Sequence, residues 1–209
     1  MRSQLLRVGV VAGLVVLSAV AQGREATDRL QIIVLVNNRA GVDQATILAA
    51  EKTAAKTYEQ AGMDIDWRNC PSQAEPEVDR CGKTTEAGEL FLNIEHQTGM
   101  LTPDGYGVAF IGDDGRGTHC DVFYDRILEM HRRFPRAEEA TILGILMAHE
   151  LGHLLLGPNA HSATGIMQPL WHYEDFLPTT FGVITFNRQQ VQKITARRKQ
   201  WTLLERASR

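Results

Sequence analysis

An apolar stretch over residues 140–156 carries two histidines and a glutamate, His149-Glu150-Leu151-Gly152-His153, and it constrains the chain more than any other feature. Read as a helix, the stretch is apolar on nearly all faces, so the helix is buried. A buried charge or an unpaired polar group is costly, so these side chains must be paired or bind a metal. They also argue against a membrane span. Residues four apart project from one helix face, separated by about 40° around the axis. Both imidazoles can therefore bind one metal ion. Glu150, next to the first of them, is placed to hold and deprotonate a water at that metal without being a ligand.

The helix ends at Gly157-Pro158, where the glycine takes a left-handed terminal conformation and the proline cannot continue the helix. The chain then returns through His161. Three neutral imidazoles would leave a fourth position for water, as a catalytic zinc requires. Gly165-Ile166-Met167-Gln168-Pro169 follows.

His149-Glu150-x-x-His153, a glycine, the third histidine and a downstream methionine turn together resemble the metzincins. His161-Ser162 and Ile166-Met167-Gln168-Pro169 look most like the matrix metalloprotease branch. The resemblance implies Zn2+ held by His149, His153 and His161, Glu150 as general base, and Met167 as a hydrophobic floor beneath the metal. It also implies Gly107-Val108-Ala109-Phe110 as the edge strand for an extended peptide. The spacing departs from the common HExxHxxGxxH pattern. Three residues separate His153 from Gly157 and three more precede His161. Glu174 or Asp175 is the alternative third ligand, as a carboxylate is in other zinc peptidases. Pro169 occupies the position of the tyrosine ligand of some metzincins, so no such ligand is expected. His172 and Tyr173 either line the substrate pocket or are ordinary loop residues.

The N-terminus speaks to compartment. Arg2 and Arg7 precede the apolar run Val8 to Val20, and Ala19-Val20-Ala21 reads as a cleavage site. Residues 1–21 are expected to be a secretory signal peptide, giving a secreted, periplasmic or extracellular protein without a stable membrane anchor. Without Arg2 and Arg7 the chain has 20 basic against 25 acidic residues, a balance of −5. That balance points to neither nucleic acid nor an anionic membrane as partner. Cys70 and Cys81 lie in one polar loop and can close a disulfide in an oxidising compartment, leaving Cys120 beside His119. Arg80-Cys81-Gly82 resembles the core of the matrix metalloprotease cysteine switch. Its place after the first three secondary-structure elements favours a structural ring over a latency device. Asp113-Asp114-Gly115 reads as a solvated turn or a calcium site.

Residues 22–209 suit a single domain. Leu30 to Val36 is a near-continuous apolar strand, which suggests a central position. Asp43 caps a helix to about Gln60 with apolar residues at helical spacing. Strands follow at Met63 to Trp67, Glu89 to Ile94, Tyr106 to Ile111 and Asp121 to Tyr124, then a helix from Asp125 to Arg133. Asn187 and Gln190 form a capping box for a C-terminal helix reaching about Leu204. The order predicts an α+β domain of metzincin-like form, with a small twisted mixed sheet, an active-site helix, a methionine turn and a C-terminal helix. The functional expectation is a secreted zinc endopeptidase acting on polypeptide. A zinc-binding protein without peptidase activity and a hydrolase of a non-protein amide are the alternatives. Oligomeric state stays open.

Overall fold

The computed structural model describes residues 29–71, 88–96, 105–177 and 182–207, the last seven as helix backbone. The expected signal peptide, Cys81 and the Arg80-Cys81-Gly82 stretch lie outside the described residues. The described residues build a mixed five-stranded sheet with four α-helices. The strands are β1 (Leu30–Asn38), β2 (Met63–Asn69), β3 (Leu90–Glu95), β4 (Gly107–Phe110) and β5 (His119–Phe123). The helices are α1 (Gln44–Gln60), α2 (Tyr124–Arg133), α3 (Glu139–Leu156) and α4 (Arg188–Ala207), and a 3-10 turn spans Tyr173–Phe176.

The sheet order is β2-β1-β3-β5-β4, with β1 flanked on both sides as its apolar run predicts. Ile32, Val34, Leu35 and Val36 are all buried, so β1 has little polar face. It pairs in parallel with β2 and β3, and β3 pairs in parallel with β5. Parallel neighbours need a crossover, and α1 supplies it between β1 and β2. β4 alone runs antiparallel, against β5, and occupies the sheet edge.

Asp43 caps α1 by accepting the Thr46 backbone N–H at 2.9 Å. Ile47, Ala50, Ala54 and Tyr58 recur at helical spacing and are fully buried, which turns this face toward α3. The Tyr58 hydroxyl donates to the Ala148 carbonyl at 2.9 Å, locking the two helices in register next to the histidines. From residue 142 to residue 156 α3 is buried throughout except at His153. It lies across β3, β5 and β4. By length and composition α3 is apolar enough to cross a membrane, but it is the core helix of this domain.

The end of α3 follows the sequence signal. Gly157 has φ 75°, a conformation that L side chains rarely adopt, and its N–H bonds the His153 carbonyl at 2.8 Å. The last turn of a helix leaves carbonyls without intrahelical donors. Arg197 on α4 meets one of them, donating Nε to the Leu155 carbonyl at 3.1 Å, and bonds the Gly115 carbonyl at 2.6 Å. Asn187 and Gln190 make the expected reciprocal pair at the head of α4, each backbone N–H bonding the other side chain at 2.9 Å.

Candidate metal centre

Three histidines from two elements converge on one point. His149 and His153 come from α3, one turn apart, and His161 from the loop beyond Gly157. One nitrogen of each imidazole can be chosen so that all lie within 4.8 Å of one another. The Nε2 atoms of His149 and His153 are 3.1 Å apart. Two imidazole nitrogens on one tetrahedral zinc, each about 2.0–2.1 Å from it, sit roughly 3.3 Å apart, so the separation fits. His149 is buried, His153 half-buried and His161 exposed. The arrangement is closed on the protein side and open toward a cleft.

The methionine turn organises this group through its backbone. The Ile166 carbonyl lies 2.7 Å from His149 Nδ1, and the Met167 carbonyl accepts the Ser162 N–H at 2.9 Å. One tight turn therefore orients the first histidine and anchors the neighbour of the third. Ile166 is itself held by its N–H on the Thr185 carbonyl at 3.0 Å. Met167 is fully buried, with its sulfur against Gly152, the residue before His153. Gln190 holds the His161 loop from the other side. Its amide donates to the Ala160 carbonyl at 3.2 Å and to Ser162 Oγ at 3.1 Å, bracketing His161.

The electrostatics suit a cation. Burial pushes the His149 imidazole down to about 4 against the support of its Ile166 bond, with His161 adding to the depression. Burial also pushes His153 down to about 3, and its two histidine neighbours act in the same direction. Both rings are thus neutral donors at ordinary pH, the form that binds metal. Burial, then Asp121, holds the Glu150 carboxyl up at about 8. A metal charge nearby acts in the opposite sense on a carboxylate. A set of three imidazole donors with an adjacent carboxylate and open access suits zinc better than magnesium or calcium, which prefer oxygen.

Glu150 reaches its position because β4 carries no side chain at residue 107. A Cβ there would lie 2.7 Å from Glu150 Cγ, 2.8 Å from its Cδ and 2.6 Å from the Asp121 carbonyl oxygen. The backbone of β4 thus forms one wall of the Glu150 niche. The cleft above has a volume of about 520 Å3. Tyr106, Val108 and Ala109 of the β4 segment face it on one side, and Pro169, Leu170 and Trp171 on the other. Trp171 stands edge-on to His149, with ring centroids 5.6 Å apart, and stacks on Phe176 at 5.5 Å.

The sequence expectations meet this geometry unevenly. His149, Glu150, His153, His161 and Met167 are brought together. Asp175 is turned to structural use, its Oδ2 accepting Gln168 Nε2 and the His172 N–H, both at 2.8 Å. Glu174 is exposed and outside the metal-competent cluster found among the described residues. His172 and Tyr173 do not line the cleft; Tyr173 stacks on Phe134 at 4.5 Å instead. Gly107, expected only as part of the edge strand, also walls the Glu150 niche, and Trp171 and Tyr106 are cleft residues that the sequence reading did not single out. Trp171 was within reach of it, three residues after the methionine turn's Gln168. Asp114 folds back to accept the Arg116 N–H at 3.0 Å, as a turn residue does.

No protein-family model matches the sequence, and no curated protein matches it. Among solved structures the chain is similar to the crystal structure of archaemetzincin from Methanopyrus kandleri. The similarity has a TM-score of 0.47 at 12% identity and covers 82% of this chain and 96% of that one.

Proposed function

We propose that the protein is an exported zinc-dependent endopeptidase. The observation that carries the reading is the convergence of His149, His153 and His161 nitrogens within 4.8 Å, at the floor of a cleft into which Glu150 also opens. The chemistry supplied by zinc when bound is polarisation of a scissile carbonyl and acidification of a water. His149, His153 and His161 would hold the ion through neutral nitrogens. Glu150 has the place of a general base, taking the proton of the attacking water and delivering it to the leaving amine. Its burial beneath β4 keeps bulk water from competing for that proton.

The preference for peptide over other amides comes from β4. Among the described residues its outer edge has no strand partner in the sheet, and three of its four residues line the cleft. An extended polypeptide can add to such an edge through backbone hydrogen bonds. The leader-like residues 1–21 and the cysteine pattern support export. Cys120 is a free, fully buried thiol on β5, which leaves Cys70 and Cys81 as the pair for a disulfide.

Casein cleavage by the mature chain, beside Glu150→Ala and a chelated control, tests the reading, with zinc content measured on each. Cleavage lost in both controls while the variant keeps its zinc is the expected result. Stoichiometric zinc without cleavage of any protein substrate would favour a binding protein or a hydrolase of another amide. Absence of tightly bound zinc would overturn the proposal.

A further inference from the structure

A second, smaller cavity of about 150 Å3 adjoins the cleft, and Tyr106 lines both. Its other walls come from α2 and the turn after it: Arg126, Glu129, Met130, Arg133 and Phe134. Two arginines and one glutamate thus line a space the size of a side-chain head group. Arg126 is half-buried and donates Nη1 to exposed Glu129 at 3.3 Å, a long and solvent-screened bond. The guanidinium carbon of Arg133 lies 5.4 Å from the Phe134 ring centroid, and Phe134 stacks on Tyr173. Aromatic packing therefore gives Arg133 a fixed platform. Among the described residues no carboxylate pairs with Arg133. Burial, then Glu129, pushes the Tyr106 phenol up, while Arg126 and Arg133 draw it down. All three charges are thus within electrostatic reach of the Tyr106 hydroxyl.

The spacing ties this cavity to the cleft. Gly107 touches Glu150, and Tyr106 is the next residue along the same edge. A peptide extended along β4 would therefore pass the cavity close to the bond at Glu150, advancing about 3.3 Å per residue. Resting on the peptidase reading above, we propose that this cavity is a specificity subsite for a glutamate or aspartate side chain of the substrate, bound by Arg133 and Arg126 beside the Tyr106 hydroxyl. A planar guanidinium fork suits a carboxylate, and charge-assisted bonds are the strong ones.

The test is binding of fluorescein-labelled alanine-based octapeptides to zinc-loaded Glu150→Gln protein, read by anisotropy. A single glutamate is walked through the sequence, with glutamine at the same place as control. The expected result is one position at which glutamate binds about tenfold tighter than glutamine. Arg133→Gln erases that ratio and Arg133→Glu inverts it in favour of lysine, with the melting temperature unchanged at this exposed site. Equal binding of glutamate and glutamine at every position, no binding of any peptide, or a ratio that survives both Arg133→Gln and Arg126→Gln would overturn the subsite. Wild-type cleavage of the same peptides is scored separately, so a failure of hydrolysis and a failure of the subsite are distinguishable.

Discussion

His149 Nδ1 lies 2.7 Å from the carbonyl oxygen of Ile166, and this contact decides which nitrogen of the ring faces the cleft. A carbonyl only accepts, so Nδ1 must carry the proton. Nε2 is left with its lone pair, 3.1 Å from the corresponding nitrogen of His153. The methionine turn thereby sets a tautomer as well as a position.

His161 is exposed and sits on a loop, unlike the two helix-borne histidines. His161→Ala should weaken zinc binding by more than about a hundredfold, beyond the effect of losing an outer-shell partner. Competition against a chromogenic chelator measures it. Unchanged affinity would remove His161 from the ligand set.

Glu150→Gln keeps the shape of the side chain but cannot accept a proton. Zinc content should stay stoichiometric while peptide hydrolysis falls by at least about a hundredfold, the usual scale of general acid–base help. Activity within a few-fold of wild type would assign the base elsewhere.

Gly107→Ala places a methyl 2.7 Å from Glu150 Cγ. The strand must shift as well, because the Asp121 carbonyl oxygen is 2.6 Å away on the other side. Overpacking of this kind costs about 1–3 kcal/mol. The expected signature is a lower kcat with zinc retained and a modest loss of thermal stability. A normal kcat would mean that Glu150 tolerates displacement.

Gln190 has two jobs that two substitutions separate. Its Oε1 caps the Asn187 N–H, and its amide hydrogens reach Ala160 and Ser162. Gln190→Glu preserves the first and loses the second. Both Gln190→Glu and Gln190→Ala should weaken zinc binding, by about tenfold. Gln190→Ala should in addition lose about 1 kcal/mol of stability through the cap. Chelator titration and thermal melts distinguish the outcomes, and equal zinc affinity in all three proteins would show that the loop needs no clip.

Glu51 is buried on α1, where its Oε1 accepts Asn69 Nδ2 at 2.9 Å. Burial raises its carboxyl above the ordinary 4.5, against the bond from Asn69. Below the unfolded value both states are protonated and the burial penalty is absent. As pH rises the unfolded carboxyl ionises first, so stability is lost up to the folded value and stays reduced above it. Glu51→Gln keeps the acceptor for Asn69 and never charges. Its melting temperature should exceed wild type at pH 7 and converge with it near pH 4. A lower melting temperature at pH 7 would show that the charge itself is stabilising.

The parts legible in the sequence are those whose causes are local. Asp43, Gly157 and the Asn187–Gln190 pair mark helix ends because caps act within one turn. β1 announces itself as a two-sided strand by its unbroken apolar run. Helical geometry alone puts His149 and His153 on one face. The cleft walls are a different matter. Gly107 meets Glu150, and Tyr106 joins the same cleft, only because β5 inserts between β3 and β4, a long-range pairing that no local pattern encodes. Trp171 and Tyr173 share one short loop, and their opposite destinations are set by packing on Phe176 and Phe134. The offset of His161 from the common spacing is absorbed by the turn at residues 157–161, where Asn159 takes φ 55°.

The bracket of Gln190 around His161 makes assembly of this centre sequential. His149 and His153 are paired as soon as α3 winds. Their third companion is held only once a helix nearly thirty residues farther along has docked. A chain in which α4 has not docked would therefore have two histidines aligned and the third without its clip. Clipping between Leu156 and α4 would return a finished molecule to that state. Firm metal retention would then report that the C-terminal helix has found its place.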